Sequence, residues 1–557
     1  MPLLKPRLRT RWQGGTEKYH TVNSSLEPGP KTFLEFSEWP CGLCTNMFSA
    51  SSLDCGYGDH RVRLARITDN LVHGFVLHTD YSGKQCPETL LRMMGTGLSE
   101  KLKEVGDLRA VTFRHRKWPW LVVWRACDNS KLCQQVILKG NHPPEHMLPD
   151  LLSRLPISVQ DKLSTMRPQP TDPLPVRKAA FAEMETYLES VKRDAFGRNM
   201  LGPCLRHPGH SCPVAWRDPT GGNPTCRPLT CGFAGPVCLP WSPYGKQEGD
   251  GHMATEAWHI WIKDMQAQGF DYTFFENSSK CPKHIFAEPM APSSHVVSFP
   301  VGPETLGWPS RRLRLMGCAI KRESLVWCGP TSDEEAAKVF KKFFLRRAAV
   351  DANVFAHVDD PAKIAEEREY RAKKAGATED NLLDMSVEQY FKTEKQKRRA
   401  CAYVALSKVR AGFVSGTMTA DVTQNPKARL RAGPWMGTVT KSSDMVLLKA
   451  GDKFGYFFTQ SELAASQGWP SIETATNVKF MAAMSYPLGT LSRAKQRNLQ
   501  GNGMHLAAVA SFVAFILAHT VRRDLVKEFL PPTRNLKRKY TDEAEDELDG
   551  STGPRRR

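Results

Sequence analysis

A chain of 557 residues with 41% hydrophobic content is long enough for two or three domains with substantial cores. A net charge of +19 sets no fold but favours a polyanionic partner, nucleic acid first. No apolar run is long enough to span a bilayer, and the N-terminal stretch is basic without the apolar segment of a secretory signal. The 15 cysteines are therefore expected as free thiols, metal ligands or a nucleophile in a reducing compartment, not as a disulfide framework.

Residues 1–70 are basic and rich in turn formers, and contain Cys41, Cys44, Cys55 and His60. Four ligand-competent groups at this spacing suggest a small structural zinc site, with ordinary free thiols as the alternative. An extended apolar run over 72–79 leads into Asp80-Tyr81-Ser82-Gly83 and a helical stretch at 87–94. A second run, 118–124, ends at Ala126-Cys127-Asp128, and another helical stretch covers 130–138. Strand, turn and helix repeated in this order predict a parallel α/β sheet, the first half of which spans 71–155.

Residues 156–230 break that rhythm with proline-rich segments and a charged helix near 179–193, as an insertion would. They also hold a looser group, Cys204, His207, His210, Cys212, Cys226 and Cys231, whose irregular spacing makes zinc a weaker expectation. The α/β pattern resumes over 231–330. Residues 331–450 begin with strongly charged helical sequence and become strand-like after 412. Residues 451–525 end in the apolar stretch 506–518, expected to be a buried helix. The polar tail, 526–557, is expected to be disordered, and its Arg534–Lys539 cluster suggests nuclear import as an alternative to mere solubility.

The most informative segment is Gly235-Pro236-Val237-Cys238-Leu239-Pro240. It would hold a thiol at the carboxyl edge of a parallel sheet, where α/β proteins bind ligands and where nearby positive charge activates a thiolate. A lone cysteine is ordinarily a buried core residue. Here, however, an apolar strand follows that ends in Glu276-Asn277, a carboxylate able to bond a base edge and carry a proton. Arg312 and Arg314 then enter another strand at alternate positions, so both would reach a carbonyl oxygen or phosphate from one face.

These segments resemble the ordered motifs of the C5-cytosine-specific DNA methyltransferase family. The Cys238 loop is similar to its nucleophile loop, with Val237 where the family usually has proline. Glu276-Asn277 resembles its Glu-Asn signature, and 310–314 its arginine segment. Residues 458–470, ending Gln467-Gly468-Trp469-Pro470, and Gly501-Asn502-Gly503 resemble its two C-terminal motifs. In the amino-terminal half, Tyr81-Ser82-Gly83 stands at the family's glycine turn, with Lys84-Gln85-Cys86 in place of further glycines.

The resemblance implies a Rossmann-like S-adenosylmethionine-dependent methyltransferase sheet. An inserted target-recognition region at 331–450 and a small N-terminal Cys/His lobe would complete the chain. It implies double-stranded DNA as partner. The basic tail points to a nuclear site, otherwise a cytoplasmic one, and no membrane attachment is expected. The resemblance assigns cofactor contacts to Tyr81, Ser82, Gly83, Asp128, Asp150 and Asn502. Cys238 would attack C6 of a flipped cytosine, Glu276 would hold N3, and Arg312 and Arg314 would hold O2. A tRNA cytosine-5 methyltransferase and a degenerate fold kept for DNA binding are the competing readings.

Overall fold

The computed structural model describes residues 26–48, 60–81, 83–104, 120–197, 199–218, 227–242, 245–377, 385–410, 415–425, 432–484 and 488–526. Seven strands form the central sheet: β1 (Phe75–Asp80), β2 (Leu121–Cys127), β3 (His146–Leu148), β6 (Leu229–Ala234), β7 (Tyr272–Ser278), β8 (Ser294–Val301) and β9 (Arg314–Lys321). Their order is β3-β2-β1-β6-β7-β9-β8. All neighbours are parallel except β9, which runs antiparallel to both β7 and β8. This is the mostly parallel sheet expected from the strand–turn–helix repeats, in the Rossmann-like form that the resemblance implies. Two short strands between β3 and β6, β4 (Leu201–Pro203) and β5 (Ser211–Pro213), form a separate hairpin.

Both faces of this sheet are covered, so its central strands are buried throughout: β1 and β7 have no exposed residue, and both turn from apolar to polar towards their carboxyl ends. One face packs against helices Phe33–Ser37, His60–His73, Cys86–Glu104, Asp333–Phe344 and Leu506–Ala518. Every residue of Leu506–Ala518 is buried, as expected from its composition, and Phe512 and Phe515 meet Phe299 of β8 edge to face. The other face packs against helices Ile157–Met166, Leu174–Ser190 and Thr255–Gln268. The segment that interrupts the sequence rhythm at 156–230 therefore supplies part of a covering layer: Phe181, Met184 and Leu188 share a core with Trp258 and Trp261.

The first strand begins later than the apolar pattern suggests. Val72 and His73 close the helix His60–His73, and Gly74, at φ 81°, makes the turn into β1. A side chain at Gly74 would sit 2.8 Å from the Trp120 carbonyl oxygen, so apolarity alone misplaces the boundary that glycine sets.

A smaller core lies farther along the chain. Helices Pro361–Ala375 and Glu394–Arg410 pack with β10 (Thr417–Asp421), β11 (Ala432–Gly433), β12 (Met445–Lys449) and β13 (Gly455–Phe457), ordered β11-β10-β12-β13. The preceding helix, Asp333–Phe344, buries Val339, Phe340 and Phe343 in the large core instead. Late segments also close over early ones. The Trp39 indole donates to Gly468 O at 2.8 Å, and the Asn70 amide donates to Leu517 O and Thr520 O at 3.0 and 3.1 Å.

Candidate active site

The strand order changes direction between β1 and β6: β2 and β3 extend one way from β1, while β6 and β7 extend the other. In an open parallel sheet such a switch point leaves a crevice at the carboxyl ends of its two strands. Tyr81 follows β1 and Gly235 follows β6, so the two predicted half-sites flank this crevice.

On the β6 side, the Cys238 carbonyl accepts from Trp241 N at 3.1 Å and Ser242 N at 2.8 Å, folding the loop into a tight turn with the thiol half-buried. The Asn277 amide donates to Pro236 O at 3.3 Å and ties this loop to the end of β7. Because β9 runs antiparallel to β7, Ser278 pairs with Arg314 and Glu276 with Met316. Glu276 and Arg314 thus share a face, two residues apart on adjacent strands. Arg314 Nε lies 3.1 Å from Glu276 Oε1. That oxygen is buried and takes no aligned hydrogen bond from the protein, so it keeps acceptor capacity.

Arg312 sits behind this pair. It is buried and donates to Gly503 O at 2.5 Å and Val439 O at 3.4 Å. Burial lowers its guanidinium to about 10 and Arg314 adds to the effect, while Glu276, Cys238 and Cys86 oppose it. One cation therefore lies within electrostatic reach of both Cys238 and Glu276. The structure brings together Cys238, Glu276, Arg312 and Arg314, which come from three chain segments.

On the β1 side, Asp128 Oδ2 accepts Gly83 N at 3.0 Å and Oδ1 accepts Ser130 N at 2.9 Å. One carboxylate thus joins the turn after β1 to the helix Lys131–Lys139, which Ser130 caps. The Gln134 amide bridges Asp128 O and Pro149 O, placing Asp150 on the adjoining strand end, where it caps Ser153 N at 2.8 Å. Gly83 is left-handed at φ 56°, and the nearest atom to a side chain built there is Asn502 O at 3.9 Å. Tyr81, Gly83, Asp128, Asp150 and Asn502 thus gather at one edge. Ser82 lies outside the described residues, as does Cys55 of the N-terminal group and the side chains of Cys44 and His60. Cys41 is half-buried in the helix Trp39–Phe48, and burial raises its thiol.

Two features escape sequence reading. Lys84, directly after the Gly83 turn, is buried, and its Nζ lies over the Trp469 ring at 3.8 Å with no hydrogen-bond partner. Burial lowers its ammonium to about 7, opposed by Cys86 and helped by Arg312. Its position next to a glycine turn was the available signal. The second is a fully buried four-charge group beneath the crevice. Arg154 bonds both Asp80 and Asp264, and Arg125 bonds Asp264 at 2.7 Å and lies 3.7 Å from Asp80. Its members are up to 184 residues apart in sequence (Asp80 to Asp264), so no local pattern marks it.

A cleft of about 260 Å³ lies elsewhere, lined by Tyr370, Arg371, Lys374, Lys392, Arg493 and Arg497 among others and by none of the four candidate catalytic residues.

No protein-family model and no curated protein match this chain. Among solved structures it is similar to the Dnmt2 methyltransferase of S. pombe (10% identity, TM-score 0.37, 80% of this chain and 98% of that one). It is also similar to a mutant DNMT2 of Spodoptera frugiperda (13%, TM-score 0.34, 80% and 99%) and to the Entamoeba histolytica methyltransferase EhMeth (10%, TM-score 0.34, 80% and 98%). Likeness at this level says nothing about activity.

Proposed function

We propose that the protein is an S-adenosylmethionine-dependent DNA (cytosine-5)-methyltransferase with Cys238 as nucleophile. The observation that carries this reading is the Glu276–Arg314 pair, 3.1 Å apart, with Arg312 in electrostatic reach of both Glu276 and Cys238 at one end of the switch-point crevice. A fold retained only for binding DNA has no need of a thiol, a carboxylate and two guanidinium groups from three segments at one sheet edge.

The β1 side suits the cofactor. Asp128 and Asp150 present carboxylates at adjacent strand ends, where a ribose diol and an adenine amine would bond, and Gly83 leaves its neighbourhood open. When bound, S-adenosylmethionine supplies a methyl group on a sulfonium as the electrophile.

The chain's own residues prepare the base. Cytosine C5 is a poor nucleophile, and addition of the Cys238 thiolate to C6 makes it enamine-like. Arg312 and Arg314 would stabilise the negative charge that develops on the ring carbonyl as the thiolate adds. Glu276 holds N3 and favours its protonation as the thiolate adds. Once C5 carries the methyl group, loss of the C5 proton expels Cys238 and restores the aromatic ring. The base must leave the duplex to reach the thiol, which costs a few kcal/mol. The excess of Lys and Arg supplies phosphate affinity, which falls as salt rises.

A duplex containing 5-fluorocytosine tests this directly, because fluorine blocks the final elimination. With labelled cofactor, a covalent protein–DNA adduct is expected from the wild type and none from Cys238→Ala. An adduct with tRNA but not with DNA would move the substrate assignment to RNA. Absence of any adduct or methyl transfer would sink the enzyme reading.

A further inference from the structure

We propose a structural zinc site formed by His146, Cys204, His207 and Cys212, which pins the β4–β5 hairpin to the edge of the central sheet. One donor atom from each residue lies within 4.8 Å of the others. Cys204 Sγ and Cys212 Sγ each lie 3.4 Å from the same nitrogen, His207 Nδ1. Around a tetrahedral zinc, with bonds of about 2.3 Å to sulfur and about 2.0 Å to nitrogen, neighbouring donors stand roughly 3.3–3.8 Å apart. Small side-chain rotations would close the set.

The four residues satisfy one another poorly without a cation. Both thiols are buried and free, and they compete for one imidazole nitrogen. The Nδ1 of His146 is buried with no hydrogen-bond partner, its ring 5.4 Å from that of His207. Two thiolates and two imidazoles are a common closed zinc set, with no position left for a reacting water. Sequence spacing hides the site, because His146 lies 58 residues before Cys204 (204 − 146). Of the other residues in the looser sequence group, His210 is exposed, Cys231 is buried in β6, and Cys226 lies outside the described residues.

The location gives the metal a task. His146 opens β3, the outermost parallel strand, while Cys204 follows β4 and Cys212 lies in β5. The hairpin has three-residue strands and an exposed Leu201, so it has little apolar surface of its own to bury. Leu205 N donates to Met147 O at 2.7 Å, and the Arg206 guanidinium bonds Pro144 O. Two residues beyond Cys212, Val214 O accepts Arg125 Nη1 at 2.8 Å and joins the hairpin to the buried charges under the β1 turn. Loss of the cation would therefore loosen the half of the crevice that holds Asp128 and Asp150.

Metal analysis of the purified full-length protein tests the site. The N-terminal Cys/His group is a second candidate zinc set, so the comparison is between variants. Wild type is expected to carry one more equivalent of zinc than Cys204→Ser/Cys212→Ser, and Cys55→Ser one more than the triple variant Cys55→Ser/Cys204→Ser/Cys212→Ser. The cobalt-substituted protein should show tetrahedral ligand-field bands that diminish in that double variant. If the double variant does not fold, His207→Cys decides. An added thiolate-to-cobalt charge-transfer band supports the site, and an unchanged cobalt spectrum overturns it. Equal zinc content in wild type and double variant would also overturn it.

Discussion

One group of charges lies beneath the crevice and another at its mouth, and they differ in how completely they are paired. Asp80, Arg125, Arg154 and Asp264 are fully buried, two positive and two negative, and each lies within ion-pair distance of members of opposite sign. Glu276, Arg312 and Arg314 sit at the mouth, with one carboxylate between two guanidinium groups and a buried oxygen lacking an aligned donor. In the first group the fields cancel internally, so breaking any member leaves an uncompensated buried charge. In the second they do not cancel, and the residual positive field is available to a thiolate and to a ring acquiring negative charge. Closed pairing holds a fold; open pairing leaves something for a substrate to complete.

Substitutions can break or sharpen that contrast. The largest expected effect is on Cys238→Ala. Methyl transfer measured with labelled cofactor should fall by roughly 10⁴-fold or more, as when a covalent nucleophile is removed. Because the thiol is half-buried in a loop, the denaturation midpoint should hardly move. Glu276→Gln should lower single-turnover transfer by about 10²–10⁴-fold, the usual range for a positioned acid or base. If it instead mainly destabilised the protein, Glu276 would belong with the closed group.

Arg154→Met addresses the closed group. It strands Asp80 and Asp264 with only Arg125 between them, and should cost about 3–5 kcal/mol in guanidinium unfolding. Adding Asp264→Asn removes the excess negative charge and should recover part of that loss. A stable Arg154→Met protein would show that this group is not what holds the floor.

The smallest effect depends on pH. Glu88 is buried, accepts from the Thr79 hydroxyl at 2.7 Å, and burial raises its carboxyl from 4.5 to about 7. Between those values the folded protein binds more protons than the unfolded chain, so this group's contribution to stability falls as pH rises from 4.5 to 7 and is constant above. Glu88→Gln should remove that component, which amounts to about 3 kcal/mol at most. The difference in unfolding midpoint between variant and wild type should appear across pH 4.5–7.

What sequence reveals here follows from distance along the chain. The nucleophile loop, Glu276 and Arg314 are legible because each closes or opens a strand, so local pattern places it at a sheet edge. The alternation that sets Arg312 and Arg314 two apart is similarly local, although Arg312 proves to be buried against Gly503. Arg125, Arg154 and Asp264 are illegible because a buried charge is explained only by partners that folding brings from elsewhere. His146 is hidden for the same reason. The helices at 157–190 look like an insertion because their apolar faces match a helix that comes some 70 residues later.

The way the last strongly apolar helix closes over the first ones has a consequence for biosynthesis. Gly503 O holds Arg312, a side chain at Gly235 would strike Met504, and Lys84 packs on Trp469. The thiol, the carboxylate and both arginines are all translated before residue 320, yet their surroundings are unfinished until some 200 residues later. A ribosome-bound or prematurely terminated chain lacking residues beyond 490 should carry the whole reactive set and no working centre. Activity would then report on completion of the polypeptide itself.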